Sequence, residues 1–197
     1  VTGRGAHLRL GRAVAEVGTD GTGPRIRTAD GAETAFDHVV FAIPGHAVPP
    51  LLPSAWRERA PFAQLRALRE TPIITITLWY DRSVFQDGNV YISNRDRRHG
   101  PIFDAVADKA RHWSGWEGHQ PAGSILQVLI DAADDVAHQS DDALVAKACA
   151  DLARFFPACR GVAPTDATVL RLTGTYCGTR VGYWSLVPRT HDTGTPG

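Results

Sequence analysis

The stretch FDHVVFAIPGHAVPPLLP, residues 36–53, constrains the fold more than any other part of the chain. Val39, Val40, Phe41, Ala42 and Ile43 form an apolar run, and Pro44 ends it. Proline fixes φ and has no backbone N–H, so a sheet ladder cannot continue through it. Pro49, Pro50 and Pro53 stiffen the exit from this corner. The pattern predicts a buried strand over residues 35–43 that stops at a rigid turn.

The rest of the chain is read outward from that corner. Before it, residues 7–10 and 13–17 are short and apolar, and residues 25–28 alternate. Thr19-Asp20-Gly21-Thr22-Gly23 and Asp30-Gly31 are turn signals, which makes the whole stretch a β-meander. After it, Ser54 is placed to cap a helix over residues 55–59. Phe62, Leu65 and Leu68 extend helical spacing to residue 70, and Pro72 stops it.

IITITLWY, residues 73–80, is β-branched and apolar on both faces, so it predicts a central strand. Residues 89–93, 124–131 and 168–176 read as further strands, and residues 94–123 as irregular structure. Ser140 caps a helix whose first turn holds Asp141 and Asp142. Leu144, Ala148, Leu152 and Phe155 share one face of it, and Pro157 ends it. This order is α+β, not a regular βαβ series.

Composition removes several function classes. Lys plus Arg and Asp plus Glu number 21 each, so the formal net charge is zero. No basic patch with interleaved aromatics is present, and nucleic acid is not expected as a partner. Cys149, Cys159 and Cys177 form no C-x-x-C pair, so metal and redox motifs are unsupported and a reducing, cytoplasmic setting is expected. No apolar run approaches the ~20 residues that cross a bilayer. The N-terminal stretch lacks an h-region, and both ends look cut, as in the interior of a longer protein.

Isolated motifs carry little. Gly3-Arg4-Gly5 has no strand before it and reads as a turn. Asp104, Asp108 and His112 are four apart, so a helix would put them on one face; a solvated face is expected, and a metal site is the alternative. No G-x-S-x-G elbow exposes a nucleophile. Trp113-Ser114-Gly115-Trp116 reads as packing aromatics.

The ordered set is more specific than its parts. Residues 12–17, the hairpin at Ala29-Asp30-Gly31, residues 36–44, Leu51-Leu52-Pro53 and residues 72–81 together resemble the middle of flavin-containing amine oxidase and phytoene desaturase-type proteins. Residues 133–157 resemble the helix and following proline of the carotenoid desaturase branch. Gly194-Thr195-Pro196 resembles the segment just before that family's C-terminal flavin motif.

The resemblance implies an α+β fold. In it, the β-meander and return strand of an FAD-binding domain join a mixed β-sheet substrate domain with flanking helices. The implied division is 1–50 for the partial FAD-binding domain, 51–185 for the substrate-binding domain and 186–197 for a return segment. FAD is the implied cofactor, with Val14, Ala42, Ile43 and Pro44 beside it. Thr75, Thr77 and Trp79 are the implied substrate contacts; no catalytic residue and no metal is assigned.

Two departures refine this. The family's G-x-G-x-x-G and C-terminal Gly-Asp motifs are absent from this sequence, so the isolated chain should hold FAD weakly or not at all and be inactive. Thr75 aligns where amine-oxidising members carry a lysine, which points to desaturation or dehydrogenation of an apolar isoprenoid or carotenoid-like substrate. The alternatives are an amine oxidase, a hydroxysqualene dehydroxylase-type flavoenzyme, or a cofactor-free α+β binding module. An apolar substrate also implies peripheral membrane contact, although no amphipathic anchor is visible.

Overall fold

Three short strands, β1 (Val14–Thr19), β2 (Pro24–Thr28) and β3 (Glu33–Ala35), form an antiparallel meander in that order. They belong to a computed structural model that describes residues 5–93, 99–112, 121–174 and 181–187. The chain divides into two compact units, one within Val1–Arg69 and Cys177–Gly197 and the other within Glu70–Tyr176.

In the first unit, polar side chains close the meander turns. Asp20 Oδ1 accepts from the Thr22 N–H at 3.0 Å, and Arg25 pairs with the same carboxylate. At the second turn Gly31 has φ 85°, a region where a Cβ is costly. Two expected strands are not formed. Residues 7–10 have no sheet partner among the described residues, and the strand over 35–43 ends at Ala35. Beyond Ala35 the alternation survives without a ladder. Val39 and Phe41 pack on the core, while Val40 is 88% exposed. Apolar alternation sets which side chains turn inward, but a strand also needs a neighbour for its N–H and C=O groups. Phe36 N–H still donates to the Pro24 carbonyl at 3.0 Å, but among the described residues no strand pairs with 37–43.

After the corner the prolines keep helices short. α1 (Ser54–Arg57) and α2 (Phe62–Leu65) are single turns, preceded by 3-10 turns at Gly45–Ala47 and Pro49–Leu51. Pro53, not Ser54, occupies the cap position of α1. The Arg57 guanidinium donates twice to the Leu52 carbonyl, at 3.0 and 2.7 Å, and so holds the loop against α1. Val17, Val48, Leu52, Leu65 and Leu68 form the core of this unit. Residues 51–69 therefore pack with the meander, whereas the sequence placed a boundary after residue 50. A further turn, α5 (Tyr183–Leu186), packs on the same core; the sequence read it as loop.

The second unit is a five-stranded sheet in the order β5-β6-β7-β4-β8. Its strands are β4 (Ile73–Trp79), β5 (Val90–Ile92), β6 (Ala105–Asp108), β7 (Ile125–Ile130) and β8 (Asp166–Leu172). All four neighbouring pairs run antiparallel, so the expected mixed sheet is corrected to an antiparallel one. The reason lies in the connection. The chain runs from β7 to β8 through α4 (Asp141–Phe155), and these two like-directed strands sit on either side of β4. A crossover helix joins parallel strands, and here β4, inserted between them, pairs antiparallel with both.

One face of this sheet carries the core. Ile74, Ile76 and Leu78 of β4 and Leu126, Val128 and Ile130 of β7 are each 0% exposed. Leu144, Ala148 and Leu152 of α4 pack on them, also at 0%. Each large side chain buried this way contributes about 1.5–3 kcal/mol. α4 begins as its sequence predicts, with Ser140 Oγ accepting from the Ala143 N–H at 3.2 Å. The surprise is β6 and α3 (Lys109–His112), which lie in the stretch read as irregular.

Candidate substrate face and cofactor corner

β4 does not bury both of its faces to the same degree, and that asymmetry builds the candidate site. Side chains alternate across a strand, so Thr75, Thr77 and Trp79 point away from α4. Register places Thr75 between Leu129 and Leu170, Thr77 between Gln127 and Thr168, and Trp79 between Ile125 and Asp166. Ala105 follows Leu129 outward and Ile92 follows Ala105. The three residues proposed from sequence as substrate contacts thus share one sheet face.

This face is largely apolar. Leu170 is 56% exposed, Ile92 82% and Val90 54%, while Thr75, Thr77 and Trp79 are half-buried. Asp166, at the far end of β8, is the carboxylate on it. Sequence reasoning missed Leu129, Leu170 and Ala105. The alternation of β8 was a usable signal for Leu170. Ala105 had none, because AVAD alternates no polar residue with its apolar ones.

In the first unit, β1 runs beside the proline loop. A Cβ on Gly18 would meet Pro53 Cγ at 3.7 Å, and Val17 shares its core with Val48 and Leu52. Gly45, directly after the corner, is packed closely: a Cβ there would come within 2.9 Å of Leu68 Cδ1. Val14 is 39% and Ile43 42% exposed, Ala42 is exposed and Pro44 is half-buried. These four residues are uncharged and exposed or partly exposed. Such surface fits a flat ring. It does not fit a pyrophosphate, which needs a helix N-terminus or converging N–H groups; the described helices of this unit are single turns.

Other sequence candidates resolve into structural roles. Asp108 lies in β6, 1% exposed, and not on a helix face. Its Oδ1 accepts from the Ala110 and Ile125 N–H groups, both at 3.0 Å, and Arg111 Nε lies 3.8 Å from Oδ2. Asp104 accepts from the Asp131 N–H at 2.8 Å. Among the described residues no group of His, Cys, Asp or Glu could hold a metal ion. Cys149 and Cys159 are free thiols. Burial pushes the Cys159 thiol up to about 11 and raises those of Cys149 and the Tyr80 phenol, so all stay protonated at neutral pH. Trp113, Trp116, His119, Cys177 and Gly194-Thr195-Pro196 lie outside the described residues.

Comparison with known proteins gives the family. The family described as "Flavin containing amine oxidoreductase" matches residues 2–192. The chain belongs to that family. FAD is therefore the implied cofactor, and an oxidoreductase the implied class of enzyme. A 15-cis-phytoene desaturase from Synechococcus elongatus is 30% identical over 121 residues, covering 61% of this chain and 24% of the relative. The chloroplastic/chromoplastic 15-cis-phytoene desaturase of Capsicum annuum is 26% identical over 159 residues, covering 80% and 26%. The chain thus spans about a quarter of the length of the curated relatives it matches. Among solved structures, reduced UDP-galactopyranose mutase superposes with a TM-score of 0.68 at 10% identity, covering 91% of this chain and 37% of that one. At that identity the likeness concerns the fold. No described helix is long and apolar enough to cross a membrane.

Proposed function

We propose that the chain is an interior part of an FAD-dependent oxidoreductase that desaturates or dehydrogenates an apolar, isoprenoid-like substrate. The observation that carries this reading is the sheet face of the second unit. Thr75, Thr77, Trp79, Leu129 and Leu170 offer a hydrocarbon chain a long apolar floor, with an ionisable group only at its end. Thr77, Gln127 and Thr168 could hydrogen-bond a hydroxyl, but an ionised amine would meet no counter-charge before Asp166. The phytoene desaturase relatives support the same substrate class.

In this reading residues 1–50 contribute to the cofactor domain. Val14, Ala42, Ile43 and Pro44 lie against a flat part of FAD, and other segments hold its phosphates. FAD, when bound, supplies the hydride acceptor. The sheet residues orient the substrate and exclude water; none of them needs to move a proton. An amine oxidase is disfavoured by Thr75, whose strand presents no basic side chain on the open face.

The test uses the full-length flavoprotein and two substitutions on the floor, Thr77→Asp and Leu170→Asp. Each puts a carboxylate under the hydrocarbon, and reduction of the flavin by phytoene should slow by about ten-fold or more. The flavin absorbance of the oxidised enzyme should not change. Rapid flavin reduction by a diamine, with none by phytoene, would reverse the assignment.

A further inference from the structure

The second unit holds a cavity at the sheet edge that shares only Ile92 with the open sheet face. Its volume is about 470 Å³, and it lies where edge strand β5 meets the C-terminal end of α4. Tyr91, Ile92, Phe103, Phe155 and Phe156 supply apolar walls, and Arg154 joins the lining. The walls are built rather than incidental. Tyr91, Phe85 and Phe156 form a ring cluster with centroids 4.7 to 5.3 Å apart. Phe103 and Phe155 meet edge to face at 6.4 Å. Ile92 and Phe155 are nevertheless 82% and 45% exposed, so the cavity leaves apolar surface in water.

Arg154 gives the cavity its chemistry. Its guanidinium stacks over the Phe155 ring at 5.0 Å and donates a long hydrogen bond to the His99 carbonyl at 3.4 Å. Among the described residues it forms no ion pair with a carboxylate. A stacked cation beside an apolar hollow can meet an anionic group while the walls take a hydrocarbon. Cavities of about 300–1,000 Å³ with mostly apolar linings and few polar groups are those that take small ligands.

We propose that this cavity binds an amphiphilic anion, its hydrocarbon chain among Tyr91, Ile92, Phe103, Phe155 and Phe156 and its phosphate or carboxylate head on Arg154. Such an anion comes either from a soluble single-chain amphiphile or from a lipid in a bilayer. The site lies apart from Thr75, Thr77 and Trp79, and the proposal does not depend on flavin chemistry.

Calorimetric titration of the full chain with dodecyl phosphate, below its micelle concentration, is the test, with dodecanol as the neutral probe. The native chain should bind dodecyl phosphate saturably. Arg154→Gln should weaken that by about ten-fold, the loss of one charge-assisted hydrogen bond, and leave dodecanol unchanged. Ile92→Asp, at an exposed position that tolerates substitution, should weaken both probes. Leu170→Ser, on the sheet floor, should weaken neither. Sedimentation with phosphatidylcholine vesicles, with and without phosphatidylglycerol, separates the sources. Ile92-dependent binding to the anionic vesicles assigns a lipid; binding of dodecyl phosphate without vesicle binding assigns a soluble amphiphile. No saturable binding of dodecyl phosphate, equal affinity in Arg154→Gln, or equal losses in Leu170→Ser and Ile92→Asp would overturn the proposal.

Discussion

Single residues at the mouth of β7 decide whether the sheet closes. A Cβ on Gly123 would sit 1.7 Å from the Tyr80 carbonyl oxygen and 3.0 Å from the Arg82 nitrogen. That approach lets Tyr80 N–H donate to Ser124 O at 2.9 Å and Ser124 N–H donate to Arg82 O at 3.1 Å. Gly123→Ala must push β4 and β7 apart, with an expected loss of about 3 kcal/mol or more in urea unfolding. Gly88→Ala is the control. No atom lies within 4 Å of its new methyl, and stability should stay within about 0.5 kcal/mol. Asp108 acts nearby as a buried brace. Asp108→Ala orphans the Ala110 and Ile125 N–H groups and should cost roughly 2–4 kcal/mol by the same measurement. Cys159 gives a pH signature. Its folded pKa, about 11, lies above that of an exposed thiol. The contribution to stability is thus complete below the unfolded thiol's pKa and is lost as the pH rises toward 11. Thermal midpoints between pH 9 and 11 should fall less steeply in Cys159→Val than in the native chain.

Elements were legible in proportion to how much of their stability is local. α4 carries its own instructions: Ser140 at the cap, Asp141 and Asp142 in the first turn, and buried Leu144, Ala148 and Leu152 on one stripe. Its position in the sequence reading and in the fold agree closely. Removing the cap by Ser140→Ala should cost about 1 kcal/mol, and Ser140→Asp should restore it, as read by the melting temperature. β4 was equally plain as a central strand, yet its two faces differ because α4 covers only one. β6 was illegible for the opposite reason. AVAD is too short and too rich in alanine to announce itself, and becomes a strand only because Val106 and Asp108 pair with β7. The expected strand over 35–43 shows the converse error. Its apolar alternation is genuine, but alternation describes burial and not hydrogen bonding. The candidate site follows the same division. Thr75, Thr77 and Trp79 could be read from one strand, while placing Leu129 and Leu170 beside Thr75 needed the register of two others.

At the level of the whole molecule, the two units differ in how the chain supplies them. The second unit is continuous, Glu70–Tyr176, and every buried residue of its core cluster lies between Ile74 and Cys159. The first is assembled from two separated segments, and Tyr183, Leu186 and Val187 return to pack on a core begun by Val17. Ends of the second unit are tied internally as well: Ala133 N–H donates to Pro72 O at 2.9 Å, Thr71 hydrogen-bonds Asp134, and Arg171 of β8 pairs with Asp141. A continuous segment with a closed core can fold alone; a discontinuous one loses part of its core when cut. Expressed by itself, Glu70–Tyr176 should therefore unfold in one cooperative transition by calorimetry, with an enthalpy near 60–80 kcal/mol at its midpoint, typical of about 100 residues. Residues 1–69 by themselves should show no such transition. The reverse pattern would mean that the large sheet depends on the meander for its stability, and the division into two separately built units would have to be abandoned.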